Sequence, residues 1–198
     1  MRLLYRRTYA PIPFTVPAVF TTPRLIASRL TLLDTADIHA ALAESTAELS
    51  ATCDWAIRSG SEKFSRRFVA SLLAQNKRGQ RIDYVVREII GRSTVGMVAM
   101  CRNPNSEQDW ELGFWRRSSC RGNNFMVEAA NALIPVVQPQ LGPARLLLTC
   151  DEKSTHVIRM AQALGFEQIG IIQNDMDGRG RLRQMLVFAL KQSLKTSL

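Results

Sequence analysis

A single α/β domain, with a mixed, mostly antiparallel sheet flanked by helices, is the fold the sequence predicts. Three observations carry that expectation. Apolar residues recur at helical spacing in some segments and in short β-branched runs in others, in the order β-α-α-β-β-β-α-β-α-β-β. A chain of 198 residues suits one domain. No repeat or interior linker divides it, and 46% hydrophobic with 22% charged residues is the composition of an ordinary folded protein.

Residues 1–23 hold four of the eight prolines and read as an extended basic arm, which leaves 24–192 for the domain. Ile26 to Leu33 has strand character. Asp34 is placed to cap a helix starting near Thr35, with Ile38, Ala41 and Leu42 on one face. Ser61 opens a second helix in which Phe64, Phe68, Leu72 and Leu73 recur at helical spacing, and Gly79 ends it. Tyr84 to Val86 and Val95 to Met100 flank Gly91-Arg92-Ser93 as a hairpin, and Asn103 to Ser106 turns the chain into a strand over Trp110 to Arg116. A helix then runs through Phe125, Val127, Ala129, Ala130 and Leu133, and Pro135 is expected to end or kink it. Arg145 to Cys150 has the pattern of a buried strand. Thr155 to Leu164 is a helix closed by Gly165, and Phe166 to Ile172 and Leu182 to Leu190 form a last hairpin.

The charge is lopsided. There are 26 Lys and Arg against 17 Asp and Glu, and residues 1–33 contribute Arg2, Arg6, Arg7, Arg24 and Arg29 with no acid. A basic front suits an anionic partner, nucleic acid or a ribosome, and suits a solvated arm equally. No apolar run reaches the roughly 20 residues that span a bilayer, and Pro11, Pro13 and Pro17 break the first segment. No membrane association and no secretory signal are therefore expected. Cys53, Cys101, Cys120 and Cys150 lie far apart, with only His39 and His156 beside them, so neither a structural metal site nor a disulfide framework is expected. A reducing cytoplasm fits this usage.

The informative segment is Glu111 to Ala130. A strand runs into the polar turn Arg121-Gly122-Asn123-Asn124, and the turn becomes a helix N-terminus. Unpaired N–H groups and the positive end of the helix dipole make such a turn an anion site, with Arg121 adding a cation, although an ordinary strand-to-helix turn has the same outline. The Glu-Leu-Gly-Phe-Trp strand (Glu111 to Trp115), the Arg-Gly-x-x turn and the helix ending in Leu164-Gly165-Phe166 together resemble the Gcn5-related N-acetyltransferase (GNAT) family. The opening Thr22-Pro23-Arg24-Leu25 and Arg29-Leu30 is typical of the branch that acetylates protein N-termini, the RimJ/RimL-like ribosomal-protein acetyltransferases. The resemblance covers roughly Thr22 to Leu190.

That resemblance implies splayed central strands and a cleft for acetyl-CoA between strands 109–116 and 145–150. It implies that backbone groups of Phe114, Trp115 and Arg116 meet the pantetheine arm. It places the pyrophosphate on Arg121 and on the N–H groups of Gly122, Asn123, Asn124, Phe125 and Met126. The amine attacks the thioester directly, so a base must take its proton. Glu111 is the first candidate, with Asp109 and Glu44 as alternatives; its other reading is an ion pair with an arginine of a neighbouring strand. The family pattern has Gly at the place of Asn124 and Gly or Ala at that of Met126, where a long side chain is expected to crowd the cofactor. It has Asn at the place of Ser154, a cofactor contact, and Ser at that of Val157. The tyrosine many relatives use as general acid is missing from the Thr155–Leu164 helix.

Trp55 lies where relatives line a peptide groove, so it reads either as a substrate contact or as core. Asp175-x-Asp177-Gly178-x-Gly180 opens like a calcium loop, but Leu186 stands where Glu is required, which makes it a hairpin loop. The reading is thus an acetyl-CoA-dependent N-acetyltransferase, monomer or homodimer, acting on an amine such as the N-terminus of a ribosomal protein. Its alternatives are an inactive acyl-CoA-binding relative and a basic RNA- or ribosome-associated protein, with any nucleic acid held by the arm.

Overall fold

Apolar residues on both faces of the central strands require a helical layer on each side, and the chain supplies two. The structure, a computed structural model, describes residues 15–103, 106, 109–141 and 144–191. The order is β1 (Val19–Thr21), β2 (Leu25–Arg29), α1 (Thr35–Thr52), α2 (Glu62–Lys77), β3 (Arg81–Glu88), β4 (Thr94–Arg102), β5 (Trp110–Arg116), α3 (Phe125–Val137), β6 (Leu146–Asp151), α4 (Thr155–Ala163), β7 (Phe166–Met176) and β8 (Leu182–Leu190). The strands form one sheet in the order β1-β2-β3-β4-β5-β6-β8-β7. Every neighbouring pair is antiparallel except β5 and β6. A parallel pair needs a long crossover, which α3 provides.

One core lies under α3 and α4 and includes Tyr84, Val98, Met100, Leu112, Met126, Ala130, Leu133 and Leu148. The other lies under α1 and α2 and includes Ile38, Leu42, Val69, Val85, Met97 and Trp115. Gly96 sits where β4 passes closest to β5: a Cβ there would collide with the Trp115 carbonyl oxygen, so only glycine lets the strands approach.

Four local expectations are corrected. The strand expected over residues 26–33 stops at Arg29, and Leu32–Asp34 forms a short 3₁₀ turn. Asp34 stands at the N-terminus of α1 without capping it. Its carboxylate instead accepts from the Thr31 N–H at 2.7 Å and from Arg87 Nη2 at 2.6 Å. Pro135 does not end α3, which runs on to Val137; Val137 is fully buried, and the Gln138 N–H closes the last turn on the Ile134 carbonyl. Part of the expected arm is sheet: Val19–Thr21 pairs with Ile26–Ser28. Residues 1–14 of that arm lie outside the described residues. The second helix starts as expected, with Ser61 Oγ accepting from the Phe64 N–H at 3.2 Å. No helix among the described residues is long and apolar enough to cross a membrane.

Candidate active site

The splay is visible in the register. β5 and β6 pair only at Trp110 with Leu146 and at Glu111 with Leu147, and beyond Glu111 they part. Alternation along β5 says which backbone groups are left facing the gap. The Trp110 N–H reaches across to the Arg145 carbonyl at 2.9 Å, whereas the Arg117 N–H pairs back to Val95 on the β4 side at 2.7 Å. Even-numbered residues therefore turn their amides toward β6, so Phe114 and Arg116 present free backbone groups to the cleft. Trp115 does not. Its amide faces β4 and its ring is buried against α1 and α2, which corrects the expectation that its backbone meets the cofactor.

Glu111 stands at the fork. It is half-buried, and desolvation pushes its carboxyl above the ordinary carboxylate range, partly opposed by hydrogen bonding from the hydroxyl and N–H of Thr149 on β6. No arginine pairs with it among the described residues; the nearby Arg81 is held by Asp83 at 2.6 Å. The register places Cys101 of β4 directly opposite, its thiol pushed up by burial to about 12 and so kept neutral. Glu111 is thus a carboxylate without a cationic partner, which suits proton acceptance. The two alternatives are committed elsewhere. Asp109 accepts from Arg145 Nη2 at 2.6 Å, and Glu44 accepts from the Ser119 N–H at 2.8 Å and from Arg117 Nε at 2.5 Å. These hydrogen bonds hold both carboxyls below their ordinary range, where they are poor bases.

The turn after β5 leads into α3. Gly122 and Asn124 both adopt left-handed backbone, with φ of 86° and 57°. Asn tolerates that region better than other residues with a side chain, which is how it serves where the family pattern has Gly. The N–H groups of residues 122 to 126 have no hydrogen-bond partner among the described residues, and α3 begins at Phe125. Arg121 beside them is exposed and forms no ion pair among the described residues. Unpaired amides, a helix N-terminus and an unneutralised guanidinium are the donor set that a pyrophosphate requires.

Phe125 and Met126, however, turn their side chains into the core, with relative exposures of 5% and 4%. Met126 therefore does not crowd the cleft, contrary to the sequence expectation. Ser154 is buried at the start of α4 on the opposite side of the gap, and its hydroxyl makes no capping bond. Trp55 stands apart from the fork in an aromatic cluster on the α1/α2 face. It stacks on Phe68 at 5.0 Å and meets Trp115 edge-on at 6.4 Å, and it remains half-buried. The expected calcium-like loop is a hairpin: the Asp177 carboxylate accepts from the N–H groups of Arg179 and Arg181 at 2.9 and 2.8 Å.

Sequence reasoning missed how the β5–α3 segment is fixed. Ser45 Oγ accepts from the Ser118 N–H at 2.9 Å, Glu48 holds Ser118 Oγ at 2.7 Å and Arg116 Nη2 at 2.5 Å, and Glu44 holds Arg117 and Ser119. Glu44 and Glu48, one turn apart on α1, are the signal that could have found this polar stripe.

Residues 24–167 match the acetyltransferase (GNAT) domain family. No curated protein sequence matches the chain. Among solved structures, the fold is similar to RimL, a ribosomal L7/L12 α-N-protein acetyltransferase in complex with coenzyme A. That similarity has a TM-score of 0.77 and 16% identity, over 86% of this chain and 96% of that one. It is also similar to the microcin C7 self-immunity acetyltransferase MccE bound to acetyl-CoA and AMP (TM-score 0.75, 14% identity, 85% and 92% coverage). A third similar structure is the ribosomal-protein-S5-alanine acetyltransferase of Vibrio fischeri (TM-score 0.75, 13% identity, 89% and 98% coverage). With the family matched across most of its length, the chain belongs to the GNAT acetyltransferases and is an N-acetyltransferase that uses acetyl-CoA.

Proposed function

We propose that the chain acetylates the α-amino group of a protein, with Glu111 as the base that takes its proton. The observation that carries this reading is the placement of Glu111 at the fork of β5 and β6, desolvated and without a cationic partner. An α-ammonium group has a pKa of about 8, so a carboxylate with raised proton affinity can relieve it of a proton directly or through one water. The free amine then attacks the thioester carbon. The carbon–sulfur bond breaks as the new carbon–nitrogen bond forms, and coenzyme A leaves as its thiol after gaining a proton. The backbone amides of Phe114 and Arg116, turned toward β6, would hold the pantetheine arm and polarise the thioester carbonyl. The amides of residues 122 to 126, with Arg121, would take the pyrophosphate, and Ser154 would contact the cofactor from the α4 side.

A protein N-terminus as acceptor is supported by the fold's likeness to enzymes named for ribosomal proteins. It is also supported by the half-buried Trp55, a flat apolar surface suited to an extended peptide. The test is incubation with acetyl-CoA and a set of short peptides with free and blocked N-termini. Thiol release and an acetyl group on the α-amine of free peptides alone are the expected result. Acetylation only of lysine side chains or of small amines would replace this acceptor assignment.

A further inference from the structure

We infer that Arg24, with Thr22 and Glu128, is a positioning device that aims the Asn124 amide into the cofactor cleft; this rests on the pyrophosphate site proposed above. The residues lie far apart in the sequence: Thr22 and Arg24 are between β1 and β2, and Glu128 lies in the first turn of α3. The Arg24 guanidinium donates from Nε to Glu128 Oε2 at 2.7 Å and from Nη2 to the Asn123 carbonyl at 3.0 Å. The guanidinium lies 4.7 Å from the centre of the Phe125 ring. The Arg24 N–H donates to Glu128 Oε1 at 3.1 Å, and Thr22 Oγ1 donates to the same oxygen at 2.5 Å while accepting from the Leu25 N–H at 3.0 Å. One carboxylate is thereby satisfied from three directions.

The consequence follows from the planarity of the peptide. In a trans amide the carbonyl and the N–H point in opposite directions. Arg24 holds the Asn123 carbonyl on the β2 side, so the N–H of the same peptide, that of Asn124, is turned away from β2. The next residue pays the conformational cost: Asn124 is left-handed at φ 57° without being glycine. That region costs a residue with a side chain some energy, less for Asn than for others, and contacts on either side help to hold it there. The contacts from Arg24 to Asn123, Phe125 and Glu128 bracket Asn124 on both sides. Glu128 has a second duty. A bare carboxylate in the first turn of α3 would repel an anion bound there, and pairing with Arg24 cancels that charge. The Thr22-Pro23-Arg24-Leu25 sequence thus works as an anchor for the turn rather than as a ligand.

Calorimetric titration with coenzyme A of the full chain, of Arg24→Gln, of Glu128→Gln and of the double variant tests this. The device predicts that each single change weakens binding about ten-fold, the loss of one charge-assisted hydrogen bond. It predicts that the double variant is no weaker than the poorer single, because all three break one clamp. In turnover the loss should appear in the KM for acetyl-CoA while kcat at saturation is held. Arg24→Lys, which keeps the charge but not the two-pronged contact, should recover only part of the affinity. Thr22→Val, which leaves both charges in place, should weaken binding in the same sense even if Arg24→Gln fails to fold. Full affinity in Arg24→Lys, or undiminished affinity in Glu128→Gln beside a weakened Arg24→Gln, would overturn the device in favour of a direct Arg24–phosphate contact. Multiplying losses in the double variant would overturn it too. If the unaltered chain binds no coenzyme A, it is the pyrophosphate assignment that fails.

Discussion

Replacing Glu111 by Gln separates a catalytic carboxylate from a structural one, because the two roles move activity and stability in opposite directions. Gln keeps the shape and leaves an oxygen for the Thr149 hydroxyl and N–H, but it cannot take a proton. Loss of a general base costs about 10²- to 10⁴-fold in rate, and a water relay would place this enzyme at the lower end. Stability should respond with the other sign. Burial raises the Glu111 carboxyl, so the folded state binds its proton more tightly than the unfolded state does. The stability due to the neutral form is full below the ordinary carboxylate pKa and is lost as pH rises through the higher folded value. Above that value the native protein carries a desolvated charge with no cation beside it, and Gln does not. The variant should therefore melt higher than the native chain at pH 8, each kcal/mol gained raising Tm by about 2–4 °C in a domain of this size. The difference should close toward pH 4. Initial rates with a peptide acceptor, together with melting curves at pH 4, 6 and 8, give both readouts. Full activity in the variant, or a variant less stable at pH 8 than at pH 4 relative to the native chain, would refute the assignment.

The other groups give further expectations. Asp109, Glu44, Glu48 and Glu128 are held below their ordinary range in the fold, so the stability they supply is present above it and lost as pH falls; acid titration of the melting temperature should show a decline beginning near pH 4–5. Met126→Ala should cost about 2–5 kcal/mol, as for a buried methionine, without tightening coenzyme A, because its side chain lies in the core rather than in the cleft; denaturant unfolding and calorimetry check the two halves. Asn124→Gly should leave stability unchanged or raise it by up to about 1 kcal/mol, since glycine adopts the left-handed turn without cost. Arg121→Ala should weaken coenzyme A and flatten the salt dependence of its binding, since an exposed unpaired guanidinium acts through a screened field; titrations at low and high salt measure this.

The order of the elements was legible because each carries its own period and its own punctuation. Trp110 to Arg116 is a strand with its expected bounds, and Ser61 caps the helix it was expected to cap. The polar turn from Arg121 to Asn124 was equally readable, since an arginine, a glycine and two asparagines between a strand and a helix admit few alternatives. Side-chain direction was not. At the start of α3 both Phe125 and Met126 are apolar and both are buried, so the periodicity does not say which faces a ligand. The direction of the Trp115 amide depends on the phase of hydrogen bonding with β4, which the pairing of Arg117 with Val95 and of Trp110 with Arg145 fixes and no sequence pattern does. The contacts that hold the site join residues far apart in sequence. Thr149 to Glu111 crosses from β6 to β5, Arg24 to Glu128 spans 104 positions, and the grip of Glu48 in α1 on Ser118 spans 70. Such pairs leave no local pattern, and Pro135 shows the converse: burial of Val137 overrides a strong local stop signal.

The central claim is that the gap between β5 and β6 receives acetyl-CoA with its thioester beside Glu111. A crystal structure of the chain with coenzyme A tests it most directly. The account predicts the pantetheine arm along the free backbone groups of Phe114 and Arg116, the pyrophosphate on the amides of residues 122 to 126, and the sulfur end near Glu111. Coenzyme A bound elsewhere on the molecule, or a gap that stays closed at saturating ligand, would contradict it.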